Sequence, residues 1–123
     1  MTTKTKNIIA WFLTGLLVLA FLASGITKLL GVEMQIKNLQ SWGYPLWLRF
    51  PIGLSEIAFA IALMISKFRL ITIYGVFVWT LVAVITHLQA GQANMIVAPI
   101  LFCVIASVLI FLIKKSKTAN QPA

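Results

Sequence analysis

Four long apolar runs separated by short polar stretches make up most of this chain. They cover residues 8–30, 46–65, 70–88 and 95–113. Each run has about the 20 residues that a helix needs to cross a hydrocarbon layer about 30 Å thick. Backbone amides in lipid must bond within their own segment, so the pattern predicts four transmembrane helices. The β-branched residues between 71 and 78 would favour a strand in water, but run length and lipid override that preference.

The connections between the runs are unequal in length. Residues 31–45 form the longest one, and the aromatic residues Trp42, Tyr44 and Trp47 in and after it favour the lipid–water boundary. We expect this segment to lie on the outer interface or dip into it. Residues 66–69 and 89–94 are expected to be tight turns, and residues 114–123 a disordered polar tail. Short connections predict an all-α, antiparallel four-helix bundle with up-down-up-down topology, in a single membrane domain spanning residues 1–123.

The first run could also be interpreted as a secretory signal, because Lys4 and Lys6 precede it and small residues occupy 20–25. The apolar core of a signal peptide is about 7–15 residues long, which is shorter than this run. We therefore expect the segment to be retained as a membrane helix.

Composition supports a lipid environment. Hydrophobic residues make up 61 % of the chain and charged residues 10 %, whereas soluble domains carry about 25 % charged residues. The net charge of +8 could indicate nucleic-acid binding, but the basic residues lie between apolar runs and form no stripe, so no nucleic-acid partner is expected. The only cysteine, Cys103, is expected to be a small buried residue. With one cysteine and one histidine, we expect no metal site and no cofactor held within the chain.

Basic residues near the helix ends predict the orientation of the bundle. One side carries Lys4, Lys6, Lys67, Arg69, Lys114, Lys115 and Lys117. The other side carries Lys28, Lys37 and Arg49. Because basic residues accumulate on the cytoplasmic side, both termini are expected in the cytoplasm. The sequence shows no organellar signal, which indicates a multi-pass protein of the cell membrane.

Ionisable residues inside membrane helices usually face the bundle interior and mark function. Here they are Lys28, Arg49, Glu56 and His87, all in the outer half or at its boundary, and we take them as a candidate polar pocket. Glu56 lies deepest. Arg49 precedes it by seven residues, about two helical turns, so both point to one side. Their axial gap is about 10 Å, so a direct contact would need both side chains extended, or Lys28 or a water between them.

Each candidate has two interpretations at this point. Glu56 is either an interhelical polar clamp or a proton carrier or ligand contact. Lys28 and Arg49 either extend to the outer headgroups or line the pocket, and His87 is either an interface histidine or a titrating pocket group. Pro51 is expected to kink the second run and open the outer end of the bundle.

The ordered set of these features resembles the DoxX-like family of small four-helix membrane proteins. The resemblance rests on Phe21-Leu22-Ala23-Ser24-Gly25 with Lys28-Leu29, Trp42-Gly43-Tyr44-Pro45, Gly53, Glu56, and Thr86-His87. The family takes its name from a subunit of an archaeal thiosulfate:quinone oxidoreductase, and other relatives are linked to oxidative-stress resistance or membrane redox complexes. The resemblance implies that Lys28, Glu56 and His87 are the functional candidates.

Three functions fit these observations to different degrees. The favoured one is an accessory subunit of a membrane redox system that holds a quinone in the outer polar pocket, with a membrane or soluble redox protein as partner. The alternative is a non-catalytic membrane scaffold or assembly factor. A small proton-linked transporter is less favoured, because no inverted repeat is apparent and four helices would require a homodimer.

Overall fold

The chain folds into a bundle of long helices. The computed structural model describes residues 2–120, with side chains from 2 to 114, and all regular structure in this part is helical. The helices are α1 (Thr3–Leu30), α2 (Glu33–Ser41), α3 (Arg49–Met64), α4 (Ser66–Gln89) and α5 (Val97–Asn120), with short 3-10 turns at Leu46–Leu48 and Ala93–Met95. Four of these elements are long and apolar enough to cross a membrane: α1, α3 with its preceding turn, α4 and α5.

The four long helices form a ring in which α1 and α4 each pack against both α3 and α5. Leu17 and Phe21 of α1 meet Leu63 of α3, Ile73 of α4 and Leu109 of α5 in the central core. Only 22–28 % of the most apolar window of each span is buried inside the bundle. Most of the apolar surface therefore faces outward, where lipid is the matching solvent. The predicted all-helical transmembrane bundle is confirmed.

Two glycines set the closest helix contact, between α1 and α3. A Cβ atom on Gly25 would lie 2.6 Å from the carbonyl oxygen of Gly53, and one on Gly53 would lie 2.9 Å from the carbonyl oxygen of Gly25. Neither position has room for a larger residue, so the two backbones touch. This contact fixes which side chains of the two helices face each other.

The C-terminal end of α1 is closed by Gly31, whose φ of 73° lies in the left-handed region that favours glycine. Its N–H donates to the carbonyl of Lys28 at 3.2 Å. The chain then enters α2, which occupies most of the long connection between the first two spans.

Several boundaries differ from those expected. Residues 66–69 are the first turn of α4 instead of a separate turn, because extended backbone at Ile65 alone reverses the chain. Residues 114–120 continue α5 instead of forming a disordered tail, and basic residues are favourable at a helix C-terminus. Residues 121–123 of the expected tail lie outside the described residues. The first helix begins at Thr3 instead of residue 8, capped by the Thr2 hydroxyl, which accepts from the Thr5 N–H at 3.1 Å.

Two further expectations need correction. Pro51 is the third residue of α3 and lies in its first turn, where a missing N–H has no partner within α3 to lose, so it fits the start of the helix instead of kinking its interior. Cys103 is half-buried and not fully enclosed, and its Sγ lies 2.9 Å from the Thr80 hydroxyl.

Candidate functional site

Lys28 and Glu56 form an ion pair inside the bundle. Lys28 is in the last turn of α1 and Glu56 is in the middle of α3, where the Gly25–Gly53 contact brings the helices together. The Lys28 Nζ lies 2.7 Å from the Glu56 Oε1, and the two side chains are 9 % and 5 % exposed. The Lys28 Nζ also donates to the Ser24 Oγ at 2.6 Å. The pair is therefore charge-neutral as a unit and supported by a third polar group.

Arg49 lies beside this pair but does not contact Glu56. Its guanidinium stacks 4.4 Å from the ring centroid of Phe50, and its Nη1 makes a long hydrogen bond of 3.5 Å to the backbone carbonyl of Lys28. Of the arrangements that the sequence allowed for Glu56, the one with Lys28 as its partner is present. Arg49 instead covers the end of α1, whose terminal carbonyls attract a cation.

His87 belongs to a second polar group, which we call the aromatic cluster: Ser41, Trp42, Tyr44, His87 and Gln92. The Gln92 Oε1 lies 2.9 Å from both the Trp42 Nε1 and the His87 Nδ1. The Gln92 Nε2 donates to the Ser41 Oγ at 3.0 Å. The Trp42 and His87 rings meet edge to face with centroids 5.3 Å apart. The cluster thus ties α2 to the end of α4.

These contacts determine which nitrogen of the His87 imidazole carries a proton. The indole N–H of Trp42 can only donate, so the Gln92 atom facing it is the carbonyl oxygen. That oxygen can only accept, so the His87 Nδ1 must carry a proton. In the neutral ring, the Nε2 is consequently a hydrogen-bond acceptor. Within residues 2–114 the Nε2 has no hydrogen-bond partner. It is not fully buried, so a bound molecule can reach it.

The structure thus brings Lys28 and Glu56 into contact, places Arg49 next to them, and holds His87 through Gln92. No polar contact was predicted for Ser24 from the sequence, and Gln92 was not among the candidates. Ser24 precedes Lys28 by four residues, a helical spacing that could have indicated the contact. Gln92 lies in a connection between helices, and no local signal connects it to residues about fifty positions away.

Four apolar spans around a buried Lys–Glu pair define a multi-pass α-helical membrane protein. The sequence profile of the DoxX-like family matches residues 12–109, which is most of the chain. The chain belongs to the DoxX-like family, as the sequence resemblance predicted. No curated protein and no solved structure matches it.

Proposed function

We propose that the protein is an accessory subunit of a redox system in the cell membrane, with both termini in the cytoplasm, and that it binds a quinol at the aromatic cluster. The free Nε2 of His87, oriented by the Nδ1 contact with Gln92, is the observation that carries the proposal. A quinol hydroxyl is a donor that such an acceptor binds. The rings of Trp42 and Tyr44, 5.9 Å apart, offer aromatic surface next to the same imidazole.

In this proposal the chain's residues hold and orient the molecule, and the quinol supplies the electron and proton chemistry. These 123 residues contain one histidine and one cysteine, so in this proposal a partner protein carries the electrons. Lys28 and Glu56 act as positioning residues, because their side chains already satisfy each other. They hold α1 against α3 and thereby fix the outer end of the bundle.

Binding of decylubiquinol and decylubiquinone to the purified protein in nanodiscs at pH 8 tests the proposal. An acceptor at the Nε2 position favours the hydroxyl-bearing quinol over the quinone, which has no such donor. We expect His87→Ala to weaken quinol binding by about tenfold, the value of one good hydrogen bond to a buried site. Gln89→Ala is the matched control, because Gln89 is exposed and lies two residues away in the same helix end.

Equal affinities of wild type and His87→Ala for the quinol would contradict the site. A preference for decylubiquinone that survives in His87→Ala would also contradict it, since the acceptor would then play no part. Thermal unfolding of each variant separates a lost contact from a lost fold.

A scaffold function is the second candidate. Every buried polar side-chain atom in the described part of the chain has a hydrogen-bond partner, as expected for groups whose role is to hold helices together. If a redox protein or a second copy of the chain co-purifies equally with wild type and His87→Ala, while neither binds quinol, the scaffold function is supported instead.

A further inference from the structure

The end of the bundle opposite the aromatic cluster contains a cavity that the proposed function does not use. It has a volume of about 140 Å³ and lies between the first turns of α1, the start of α4 and the end of α5. Lys6, Asn7, Trp11, Thr14, Arg69 and Leu112 are among the residues that line it. We propose that this cavity binds the phosphate of an anionic phospholipid headgroup, and we call it the basic-end cavity.

Arg69 is held in a fixed position at this cavity. Its guanidinium stacks 3.8 Å from the ring centroid of Trp11, and its Nε donates to the carbonyl of Leu63 at 3.0 Å. The Leu63 bond satisfies the end of α3, and the Trp11 contact fixes the plane of the guanidinium. The Nη1 has no protein partner within residues 2–114 and remains a donor for an anion.

Lys6 provides the second cation. It lies one helical turn before Ala10 on the lining of the cavity, and its ammonium group has no partner in the described part of the chain. The sequence contains only two acidic side chains, and both have lysine partners elsewhere: Glu56 with Lys28, and Glu33 with Lys37. The positive charge of the basic-end cavity therefore has no acidic side chain to neutralise it.

The surroundings favour a lipid over a free phosphate ion. Trp11 is 52 % exposed, and Ile8 and Phe12 in the same turns of α1 are 60 % and 65 % exposed. A phosphodiester seated between Lys6 and Arg69 would place its acyl chains along this apolar surface. Basic pockets between membrane helices bind anionic headgroups by this combination of charge and apolar contact.

Native mass spectrometry of the detergent-purified protein, titrated with dioleoyl-phosphatidylglycerol or dioleoyl-phosphatidylcholine, tests the inference. We expect one phosphatidylglycerol to bind tightly and phosphatidylcholine to bind at least about fivefold more weakly. This factor is about the effect of one net charge near the membrane surface on the binding affinity. The double variant Lys6→Gln/Arg69→Gln should bind phosphatidylglycerol about 30-fold more weakly. The matched control is Lys4→Gln/Lys67→Gln, which removes the same charge from the same end outside the cavity lining and should lose less than about threefold.

A further variant keeps every charge. Ala10 lines the cavity and packs against the core, so Ala10→Leu should fill the space and release the lipid while Lys6 and Arg69 remain. If the double variant fails to fold because of Arg69→Gln, Ala10→Leu and the single variant Lys6→Gln test lipid binding at the basic-end cavity instead.

Three results would overturn the inference. The first is an equal loss of phosphatidylglycerol affinity in the control double variant, which would indicate that the lipid is attracted by the overall positive charge of this end and not by the cavity. The second is unchanged binding in Ala10→Leu. The third is displacement of phosphatidylglycerol by millimolar inorganic phosphate, which would indicate a site for the free ion.

Discussion

The ammonium of Lys28 and the carboxylate of Glu56 lie 2.7 Å apart inside the bundle, on the two helices whose backbones touch at Gly25 and Gly53. A buried charge is tolerated in such a place only when an opposite charge and hydrogen bonds compensate for its lost hydration. Lys28 has both, from Glu56 and from Ser24. The pair therefore specifies the register of α1 against α3 in a medium where apolar side chains alone give little preference.

The chain contains a natural comparison between two ion pairs. We expect Glu56→Gln to lower the free energy of unfolding by about 3–5 kcal/mol, because Lys28 would keep a buried charge without its partner. Glu33→Gln removes the acid of the exposed pair with Lys37, whose side chains are 81 % (Glu33) and 70 % (Lys37) exposed. This substitution should change the free energy of unfolding by less than about 0.5 kcal/mol. Denaturation of the protein in mixed micelles measures both. Similar effects of the two substitutions would contradict the burial of the Glu56 carboxylate.

The contact between α1 and α3 predicts opposite effects of alanine at two glycines of α1. Gly25→Ala should destabilise the bundle by about 1–3 kcal/mol, because the added Cβ meets the Gly53 carbonyl. Gly15 has no atom within 4 Å of the added Cβ, so Gly15→Ala should be neutral or stabilise by up to about 1 kcal/mol. Unfolding temperatures in detergent measure the difference. If Gly25→Ala were as stable as Gly15→Ala, the close approach would be wrong.

Gln92 is expected to hold the aromatic cluster together. Gln92→Leu removes the acceptor shared by the Trp42 indole and the His87 imidazole, so we expect faster hydrogen exchange in α2 and a shift of the Trp42 indole N–H resonance. Gln89→Leu, a change of the same size in an exposed neighbour, should leave both signals unchanged. Unaltered exchange and an unaltered resonance in Gln92→Leu would mean that Gln92 does not bridge the rings.

The orientation proposed from the basic residues predicts which positions are reachable from outside the cell. In a Cys103→Ser background, Asn94→Cys should react with a membrane-impermeant maleimide in intact cells. Ser66→Cys, exposed at the opposite end, should react only after permeabilisation. The reverse labelling pattern would invert the topology while leaving the bundle intact.

Much of the fold was predictable because lipid imposes few alternatives. Uninterrupted apolar runs of membrane-spanning length must be helices, so the four spans followed from hydrophobicity alone. The ends were less predictable. The polar residues 66–69 and 114–120 were predicted to form a turn and a tail, but both segments are helical. Polar residues can continue a helix beyond the membrane because several of them have good helix propensity.

The contacts among the four candidate residues could not be predicted from the sequence. Position along the helices indicated only that Lys28, Arg49, Glu56 and His87 lie between the middle and one end of the bundle. Which cation meets Glu56 depends on the rotation of α1 against α3, and that rotation is set by the tertiary contact of Gly25 with Gly53. The bond from His87 to Gln92 depends on the path of the connection that follows α4, which no periodicity encodes.

A double-mutant cycle on Lys28→Met and Glu56→Gln, followed by reversible unfolding in mixed micelles, tests most directly whether the ionisable groups turn inward toward one another. We expect each single variant to be strongly destabilised and the double variant to be much less so than the sum, with an interaction free energy of about 2 kcal/mol or more. Strictly additive effects would mean that the two side chains do not interact, and the pairing of α1 with α3 described here would be wrong.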